Sequence, residues 1–431
     1  MRPTVVARVG VRVLALLALL ALACGGAGAA PAAREAPPTV ILISLDGTRP
    51  EDVAELPLFR SLARRGAVAE GLVPVFPSNT FPNHVTFVTG VEPDRHGIVS
   101  NVFRDPKRGL FRYENDPTWL EAEPLWSLLA RAGIPSASFH WVGSQGAWRD
   151  GLGPRHWEPF DAGVPADRKI AQLLAWLDGD DPPRFLTCWL NGVDGIGHRR
   201  GPGTAQAARA LRAQERALAA LVQGLEERGR LASTTLLLVS DHGMARVERH
   251  VDLEGALEEA GLRADVIGGG GFATVQLATK GGVRARQAAL RRALEVAHKL
   301  GLDAWATGDE RAEWPTTNPR FGAFVAVAPV GTAIVDGGRA LAAPAAAVGL
   351  GLRGAHGHRP DAPEMAGLFY ALGRGVEAGT RLGRVHALDV APTVLHLLGQ
   401  PQPATMPGRP VALGRLPLPV TPATGSETTT R

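Results

Sequence analysis

Three short apolar segments, each ended by a polar turn, constrain the fold of this chain more than any other feature. They are TVILISL, RFLTCWL and TTLLLVS, at residues 39–45, 184–190 and 234–240, and they are followed by Asp46-Gly47, Asn191-Gly192 and Asp241-His242. Uninterrupted apolar runs of this length are typical of strands that are buried on both faces, as in a parallel sheet. GLFYALG, at residues 367–373, is a further candidate strand.

Segments with helical periodicity lie between and after these runs, at residues 204–229, 283–301 and 388–399. Alternating strands and helices predict an α/β layered fold, in which a central, largely parallel sheet is flanked by helices. We expect this domain to cover residues 39–405. The chain has 431 residues, of which 45% are hydrophobic and 20% charged, so it can build a substantial core and is not disordered throughout.

The first residues have the pattern of an export signal. Three arginines precede the apolar stretch VLALLALLALA at 13–23, which is too short for an ordinary transmembrane span. Residues 1–23 are therefore predicted to be a signal segment. Cys24 follows it as in a bacterial lipoprotein, although AGA at 27–29 would also allow ordinary cleavage near residue 29. We expect an exported protein, either periplasmic or anchored to the membrane through lipid on Cys24.

Two further segments are predicted to lack fixed structure. Residues 24–38, rich in Gly, Ala and Pro, resemble a flexible tether. Residues 406–431 end in the polar, proline-containing stretch PLPVTPATGSETTTR and are expected to be a disordered tail.

Charge and cysteine content narrow the possible partners and the sources of stability. Without the three signal arginines, 43 basic residues face 42 acidic ones, so the net charge falls from +4 to +1. This near-neutral balance gives little support to binding of a nucleic-acid polymer and favours a small-molecule substrate. The mature chain retains Cys188 as its one structural cysteine candidate, so no internal disulfide is expected.

The segment VPVFPSNTFPNHVTFVTG, at residues 73–90, holds Thr80 between two Phe-Pro pairs. Pro82 suits the first turn of a helix and Gly90 suits its end, so Thr80 is open to interpretation as an ordinary helix cap. Alternatively, Thr80 is a nucleophile placed where helix N–H groups receive an anion. A threonine hydroxyl is a weak nucleophile at neutral pH, so the second interpretation requires a base or a metal ion beside it.

Acidic and histidine residues with metal-ligand character occur at several strand ends. Asp46 ends the first strand, Asp194 and His198 are four residues apart, and Asp241 precedes His242. His356 and His358 lie in a glycine-rich turn, GAHGH. Carboxyl ends of parallel strands meet at one edge of a sheet, and carboxylate and imidazole ligands together suit zinc or a similar divalent ion.

Seven segments, in this order, resemble the nucleotide pyrophosphatase/phosphodiesterase family of the alkaline phosphatase superfamily. They are ISLDG (43–47), FPSNTFPNH (76–84), HGIVSN (96–101), DGIGHRRGP (194–202), VSDHGM (239–244), NPRFGAFVAVA (318–328) and the segment GAHGHRPDAPEM that contains His356. The resemblance covers roughly residues 38–400. It implies an alkaline-phosphatase-like fold and hydrolysis of phosphodiester or phosphoanhydride bonds.

The resemblance also implies roles for individual residues. One zinc ion would be held by Asp194, His198 and His356, and a second by Asp46, Asp241 and His242. Thr80 would bind the second ion and act as the nucleophile, forming a covalent phospho-threonine intermediate. Asn101 would donate a hydrogen bond to a phosphoryl oxygen.

Two aromatic residues are candidates for contact with the substrate, and for both the alternative is packing in the core. Phe81 occupies the family position that faces the substrate, and Trp141 lies in WVGSQGAW (141–148), where the family has a substrate loop. Each is open to interpretation as a stacking surface or as part of the core. The family commonly has Tyr-Asp where His358-Arg359 stand here, so His358 is not counted as a ligand.

Three other functions are weighed against a phosphodiesterase. Threonine-dependent monoesterases of this superfamily carry a Lys-x-Arg pair in the substrate loop, and SFHWVGSQGAWRD has none, although Arg149 is close. A sulfatase is disfavoured because neither cysteine has the required Cys-x-Pro-x-Arg context. The last alternative is an exported lipoprotein that binds phosphate-bearing ligands without catalysis.

Overall fold

Among residues 36–335 and 352–414, which this computed structural model describes, eight strands form the main sheet. Four smaller sheets contain the other described strands. In chain order, the strands of all five sheets are β1 (Thr39–Leu45), β2 (Ala67–Val73), β3 (Val102–Asp105), β4 (Gly109–Arg112), β5 (Ser136–Phe139), β6 (His156–Glu158), β7 (Phe185–Leu190), β8 (Thr234–Val239), β9 (Ala245–Arg246), β10 (Arg249–Asp252), β11 (Ala264–Gly269), β12 (Phe272–Leu277), β13 (Asp303–Ala306), β14 (Phe324–Val327), β15 (Thr332–Val335), β16 (Gly354–Ala355), β17 (Phe369–Gly373) and β18 (Thr380–His386).

The three strands predicted from apolar runs lie side by side in the main sheet. Its order is β18-β2-β17-β8-β1-β7-β5-β6, and β1 pairs in parallel with both β7 and β8. The GLFYALG segment forms β17, which runs antiparallel to β8 and β2. The remaining neighbours in the sheet are parallel, so the predicted largely parallel sheet is confirmed.

Helices cover both faces of this sheet. They are α1 (Pro50–Val53), α2 (Pro57–Arg65), α3 (Thr80–Thr89), α4 (Pro93–His96), α5 (Leu125–Arg131), α6 (Ala166–Leu177), α7 (Asp194–Arg200), α8 (Ala205–Glu227), α9 (Leu253–Glu259), α10 (Val283–Lys299) and α11 (Val390–Leu397). Alternate β1 residues pack to opposite sides: Val40 joins the core beneath α3, α5 and α11, whereas Ile41 joins the core beneath α2, α6 and α8. The three helices predicted from periodicity correspond to α8, α10 and α11.

A smaller antiparallel sheet follows β8 in the chain. Its order is β11-β12-β14-β13, and α10 packs on it through Ala293 and Ala297. Both residues are buried in a third core cluster, which forms between α10 and this sheet.

The C-terminal boundary of the folded domain differs from the expected one. Met406, Val411 and Leu413 are buried in the main core, so the folded part extends past residue 405, at least to Gly414. Their apolar side chains account for the difference, because burial in the core keeps them out of water. The chain divides into units Met1–Pro37 and Pro38–Arg431. The predicted signal, Cys24, nearly all of the tether and residues 415–431 lie outside the described residues.

We find no helix among the described residues that is long and apolar enough to cross a membrane.

Candidate active site

Two groups of three side chains lie at the carboxyl ends of the central strands. Asp46 follows β1 directly, Asp241 and His242 follow β8, and Asp194 and His198 lie on α7, just after β7. His356 comes from the turn after β16. Asp46, Asp241 and His242 form the first triad, and Asp194, His198 and His356 form the second. Within each triad the potential ligand atoms lie within 4.8 Å of one another, so each could hold a metal ion.

Backbone carbonyls orient the three histidines of the triads. Nδ1 of His242 lies 2.8 Å from the Gly243 carbonyl oxygen, and Nδ1 of His198 lies 2.9 Å from that of Gly354. His356 Nδ1 lies 3.0 Å from the Ser78 carbonyl oxygen. Because a carbonyl oxygen only accepts, each Nδ1 carries the hydrogen, and each Nε2 of a neutral ring presents a lone pair. Such second contacts fix metal-binding imidazoles in other proteins.

Each carboxylate of the triads keeps one oxygen available. Asp46 Oδ1, Asp194 Oδ1 and Asp241 Oδ2 are buried and have no hydrogen-bond partner among the described residues. The second oxygen of two of these carboxylates accepts a hydrogen bond: Trp189 Nε1 donates to Asp46 Oδ2 at 2.9 Å, and the Gly47 N–H donates to Asp241 Oδ1 at 3.2 Å. Buried, unpartnered carboxylate oxygens are costly without a cation.

These free oxygens face the imidazole nitrogens. His242 Nε2 lies 3.3 Å from Asp241 Oδ2 and 3.6 Å from Asp46 Oδ1, and His198 Nε2 lies 3.3 Å from Asp194 Oδ1. Carboxylate oxygens and imidazole nitrogens facing a common point are the donor set of zinc and similar divalent ions.

The electrostatics of the triads agree with this donor set. Burial, followed by the charges of Asp241 and Asp194, raises the pKa of Asp46 well above its usual value. Burial acts to raise the pKa of Asp194 as well, but His198 and His356 lower it below its usual range. Burial, His242 and His198 lower the pKa of His356 well below its usual value, which favours its neutral, ligating form.

Thr80 is the first residue of α3 and lies beside the first triad. Its hydroxyl Oγ1 is 3.1 Å from His242 Nε2, and the residue is buried. The N-cap is Asn79, so Thr80 is not the helix cap that one interpretation of the sequence suggested. His84, one turn later, places Nδ1 2.9 Å from the Thr80 carbonyl oxygen and 3.4 Å from Asp241 Oδ2. The start of α3 is thereby tied to the first triad.

Asn101 and Tyr113 flank the open end of the β3–β4 hairpin. Asn101 Oδ1 accepts a hydrogen bond from the Phe81 N–H at 2.8 Å. The amide nitrogen of Asn101 therefore points away from the Phe81 N–H. Tyr113 has a left-handed backbone, with φ 51°, and its backbone N–H donates to the Asn101 carbonyl oxygen at 3.1 Å. Although 46% of the Tyr113 surface is exposed, desolvation of the phenol and the nearby Asp194 and Asp46 carboxylates raise its pKa to about 12.

The two candidate stacking residues are both buried. Phe81 is 1% exposed and contacts Phe111, Tyr113 and Trp189 edge to face. Trp141 has no exposed surface, and its indole N–H donates to the His84 carbonyl oxygen at 3.0 Å. Trp141 therefore packs in the core, and of its two interpretations the structure favours packing over contact with a substrate.

His358 and Arg359 lie apart from the triads. His358 is buried and its Nδ1 is 2.9 Å from the Ala328 carbonyl oxygen, whereas Arg359 pairs with Asp303, Glu313 and Asp361. Neither belongs to a group of potential metal ligands in the part of the chain that the structure describes.

Three residues beside the site were missed in the sequence. Trp189 donates to Asp46, but in the sequence it looks like any apolar strand residue. His84 belongs to the FPSNTFPNH segment, and nothing in that segment indicates that its ring contacts Asp241. Tyr113 has no motif of its own, and its position after the β3–β4 hairpin is visible only in the fold.

Comparison with known proteins gives a family match over most of this chain. Residues 40–357 match the family described as "Type I phosphodiesterase / nucleotide pyrophosphatase". Human ectonucleotide pyrophosphatase/phosphodiesterase family member 1 is 35% identical over 225 residues, which cover 50% of this chain and 24% of the human protein. An uncharacterised pyrophosphatase/phosphodiesterase of Schizosaccharomyces pombe is 36% identical over 218 residues, covering 48% of this chain and 45% of that protein. This chain thus matches about a quarter of the human relative's length.

Solved structures show the same fold. Human ectonucleotide pyrophosphatase/phosphodiesterase 5 superimposes with a TM-score of 0.75 at 24% identity, covering 86% of this chain and 97% of the human one. An inactive variant of the murine protein, in complex with AMP, gives the same score and identity over 87% and 97% of the two chains. The predicted α/β fold is confirmed. Since the family match covers most of its length, this chain belongs to the type I phosphodiesterase/nucleotide pyrophosphatase family.

Proposed function

We propose that this chain is an exported, metal-dependent phosphodiesterase or nucleotide pyrophosphatase that acts through Thr80. One observation carries the proposal: the Thr80 hydroxyl lies 3.1 Å from His242 Nε2, at the N-terminus of α3 and beside two triads of metal-ligand type. Relatives named pyrophosphatase/phosphodiesterase support the reaction class.

The side chains of the triads fit two divalent cations, and we propose zinc. The three unpartnered carboxylate oxygens and the three oriented Nε2 atoms are the atoms that would bind. Bound zinc would supply Lewis acidity, which lowers the pKa of a nearby hydroxyl or water and stabilises charge on the phosphoryl group.

Thr80 carries out the first half of the reaction. Its Oγ1 forms a bond to phosphorus as the bond from phosphorus to the leaving oxygen breaks, which releases an alcohol or a nucleotide. Thr80 loses its hydroxyl proton in this step, and the leaving oxygen takes up one proton, so the number of protons is unchanged. Water then cleaves the bond between phosphorus and Thr80 Oγ1 and restores the hydroxyl.

Asn101 favours a diester substrate. Because Asn101 Oδ1 is held by the Phe81 N–H, its amide nitrogen is oriented to donate to a phosphoryl oxygen. A monoester carries more negative charge and calls for additional cationic groups. Arg149, the basic residue near the substrate loop, instead lies over the Trp148 ring at 4.9 Å from its centroid.

Specificity constants for three substrates test this proposal. We expect a bis-aryl phosphate and an aryl diester of a nucleoside monophosphate to be cleaved faster than the matching aryl phosphate. A chelator should abolish turnover, and elemental analysis should find two zinc ions per active chain.

Different outcomes contradict different parts of the proposal. A strong preference for the aryl phosphate would identify a monoesterase with the same Thr80 site. Active protein without stoichiometric divalent metal would exclude the metal-dependent reaction. Binding of phosphate compounds without turnover would indicate a non-catalytic ligand-binding protein.

Export rests on the N-terminal sequence alone, so it needs its own test. In a bacterial host, we expect radiolabelled palmitate to be incorporated into the protein and the protein to sediment with membranes. Cys24→Ala should abolish both. Equal labelling of wild type and variant would exclude Cys24 as the anchor.

A further inference from the structure

The β3–β4 hairpin brings two polar side chains to one place beside Thr80. The hairpin pairs run from Val102 opposite Arg112 to Asp105 opposite Gly109, and the Tyr113 N–H donates to the Asn101 carbonyl oxygen at 3.1 Å. Residues directly opposite each other on antiparallel strands project from the same face. Asn101 and Tyr113 are therefore neighbours at the open end of the hairpin.

Buried contacts hold the hairpin rigidly. Arg320 is buried, and its Nε donates to Asp105 Oδ2 at 2.7 Å, while its Nη1 donates to the Gly97 carbonyl oxygen at 2.8 Å. The rings of Phe103 and Phe111 stack with centroids 4.5 Å apart. Since the two strands are fixed to the core, the side chain at the end of β4 has a defined position.

Tyr113 itself has an unusual conformation. Its φ of 51° lies in the left-handed region, which a tyrosine rarely adopts. Residues with such strained backbone conformations cluster at functional sites. Its ring meets that of Phe81, the residue after Thr80, edge to face at 5.3 Å. The Phe81 contact places Tyr113 over the start of α3.

The hydrogen bond from Phe81 to Asn101 leaves a donor on each of the two side chains. The Phe81 N–H occupies Asn101 Oδ1, so the NH₂ of Asn101 is the group that can donate to a ligand. The Tyr113 phenol carries an O–H that can also donate. Because Asn101 accepts from Phe81 and the Tyr113 ring contacts the Phe81 ring, both side chains lie beside the residue that follows Thr80.

We propose that the Tyr113 hydroxyl is a second donor to a non-bridging phosphoryl oxygen of the substrate, next to the amide of Asn101. This inference rests on the proposed phosphodiesterase function. Phe81 holds both side chains: its N–H donates to Asn101 Oδ1, and its ring contacts that of Tyr113. When a diester binds, the Asn101 NH₂ and the Tyr113 O–H converge on its phosphoryl group from the same hairpin.

Tyr113→Phe tests the proposal, because phenylalanine keeps the ring and carries the same backbone strain. We expect kcat/KM for a bis-aryl phosphate to fall about 10- to 100-fold, as for loss of a hydrogen bond to a charged group. Zinc content and melting temperature should stay at the wild-type values. The other tyrosine offers a matched control: Tyr370 is in the core against Phe59, and Tyr370→Phe should leave kcat/KM unchanged.

A double variant separates direct contact from support of Asn101. If Tyr113 touches the substrate, Tyr113→Phe should still reduce kcat/KM severalfold when it is added to Asn101→Ala. An effect that disappears in the Asn101→Ala background would show that Tyr113 only positions Asn101, and would overturn the proposal.

The remaining outcomes distinguish this inference from the proposed function. Wild-type protein that cleaves the diester, with Tyr113→Phe within twofold of it, would overturn the role of Tyr113 alone. Wild-type protein that is loaded with zinc yet cleaves no diester would overturn both.

Discussion

Thr80 and His242 are brought together from segments 162 residues apart in the sequence: Oγ1 of Thr80 lies 3.1 Å from Nε2 of His242. Another buried threonine of α3, Thr89, donates its hydroxyl to the Val85 carbonyl oxygen at 2.8 Å, as threonines in helices commonly do. The Thr80 hydroxyl instead faces an imidazole nitrogen and the carboxylates around it. This difference within one helix is the reason to expect chemistry from Thr80.

Thr80→Ala should reduce the rate of diester cleavage about a thousandfold or more, because the covalent route disappears. Thr80→Ser should retain partial activity, since it keeps a hydroxyl. Steady-state kinetics on zinc-loaded protein would measure both effects. Thr89→Ala is the matched control: it should cost about 1 kcal/mol of stability and leave the rate near wild type. Folded, zinc-loaded Thr80→Ala protein with wild-type activity would show that Thr80 has no catalytic role.

The sheet and the acidic residues at its strand ends could be predicted because their signals are local, whereas the grouping into two triads came from the resemblance to a family. An apolar run identifies a buried strand, and a polar residue just after it must lie at the edge where the carboxyl ends of parallel strands meet. This argument applies to Asp46 and Asp241 without any knowledge of strand order. His356 needed the resemblance to a family, since its turn follows no predicted strand.

Other features depend on contacts between distant segments and could not be predicted. The apolar run that forms β17 contains nothing that specifies its antiparallel direction. Trp141 follows β5, and only the packing of α3 against it decides that its indole is buried. Tyr113 takes its place from the hairpin and from Arg320, more than 200 residues later. The apolar residues from Met406 to Leu413 are too sparse to indicate a packed segment.

Asn101→Ala should lower the rate constant for diester cleavage about a hundredfold, as for removal of one preorganised donor worth on the order of 3 kcal/mol. Asn101→Asp should lower it further, because aspartate can still accept from the Phe81 N–H but turns a second negative oxygen toward the phosphoryl group. Rates would be measured under single-turnover conditions, and elemental analysis should find unchanged zinc. Equal rates for wild type and Asn101→Ala would exclude a contact to the phosphoryl group.

Gly47→Ala should weaken zinc binding about tenfold, an effect typical of changes next to metal ligands. Gly47 has φ 63°, and a Cβ atom there would lie 3.1 Å from Asp194 Oδ1, so Asp194 must shift by a few tenths of an ångström. Gly229→Ala is a matched control, because Gly229 has φ 62° and no neighbour within 4 Å of the same Cβ position.

Both glycine variants should lose about 1 kcal/mol of stability from the left-handed backbone. Only Gly47→Ala should need more zinc to reach full activity in a titration of the metal-free protein. Identical zinc titrations for the two variants would show that the space beside Asp194 is unimportant.

His96 should make the protein less stable as the pH falls. It is fully buried, its Nδ1 accepts from the Ile98 N–H, and its Nε2 contacts the Thr86 hydroxyl, so the neutral ring is well accommodated. Burial lowers the pKa of His96 to about 3 from the ordinary value of 6.5. Above pH 6.5 neither state is protonated, and the full stability is present. As the pH falls from 6.5 toward 3, the unfolded chain binds a proton that the folded chain does not.

This difference lowers the free energy of unfolding by about 1.4 kcal/mol for each pH unit below 6.5. Between pH 7.5 and pH 5, urea unfolding should therefore show about 2 kcal/mol less loss of stability in His96→Gln than in wild type. His250→Gln, at an exposed position of β10, is the control for the same substitution at a surface histidine. Because the comparison is a difference between variants, loss of zinc at low pH affects all three proteins alike. A His96→Gln protein with the wild-type pH dependence would show that His96 is protonated equally in the folded and unfolded states.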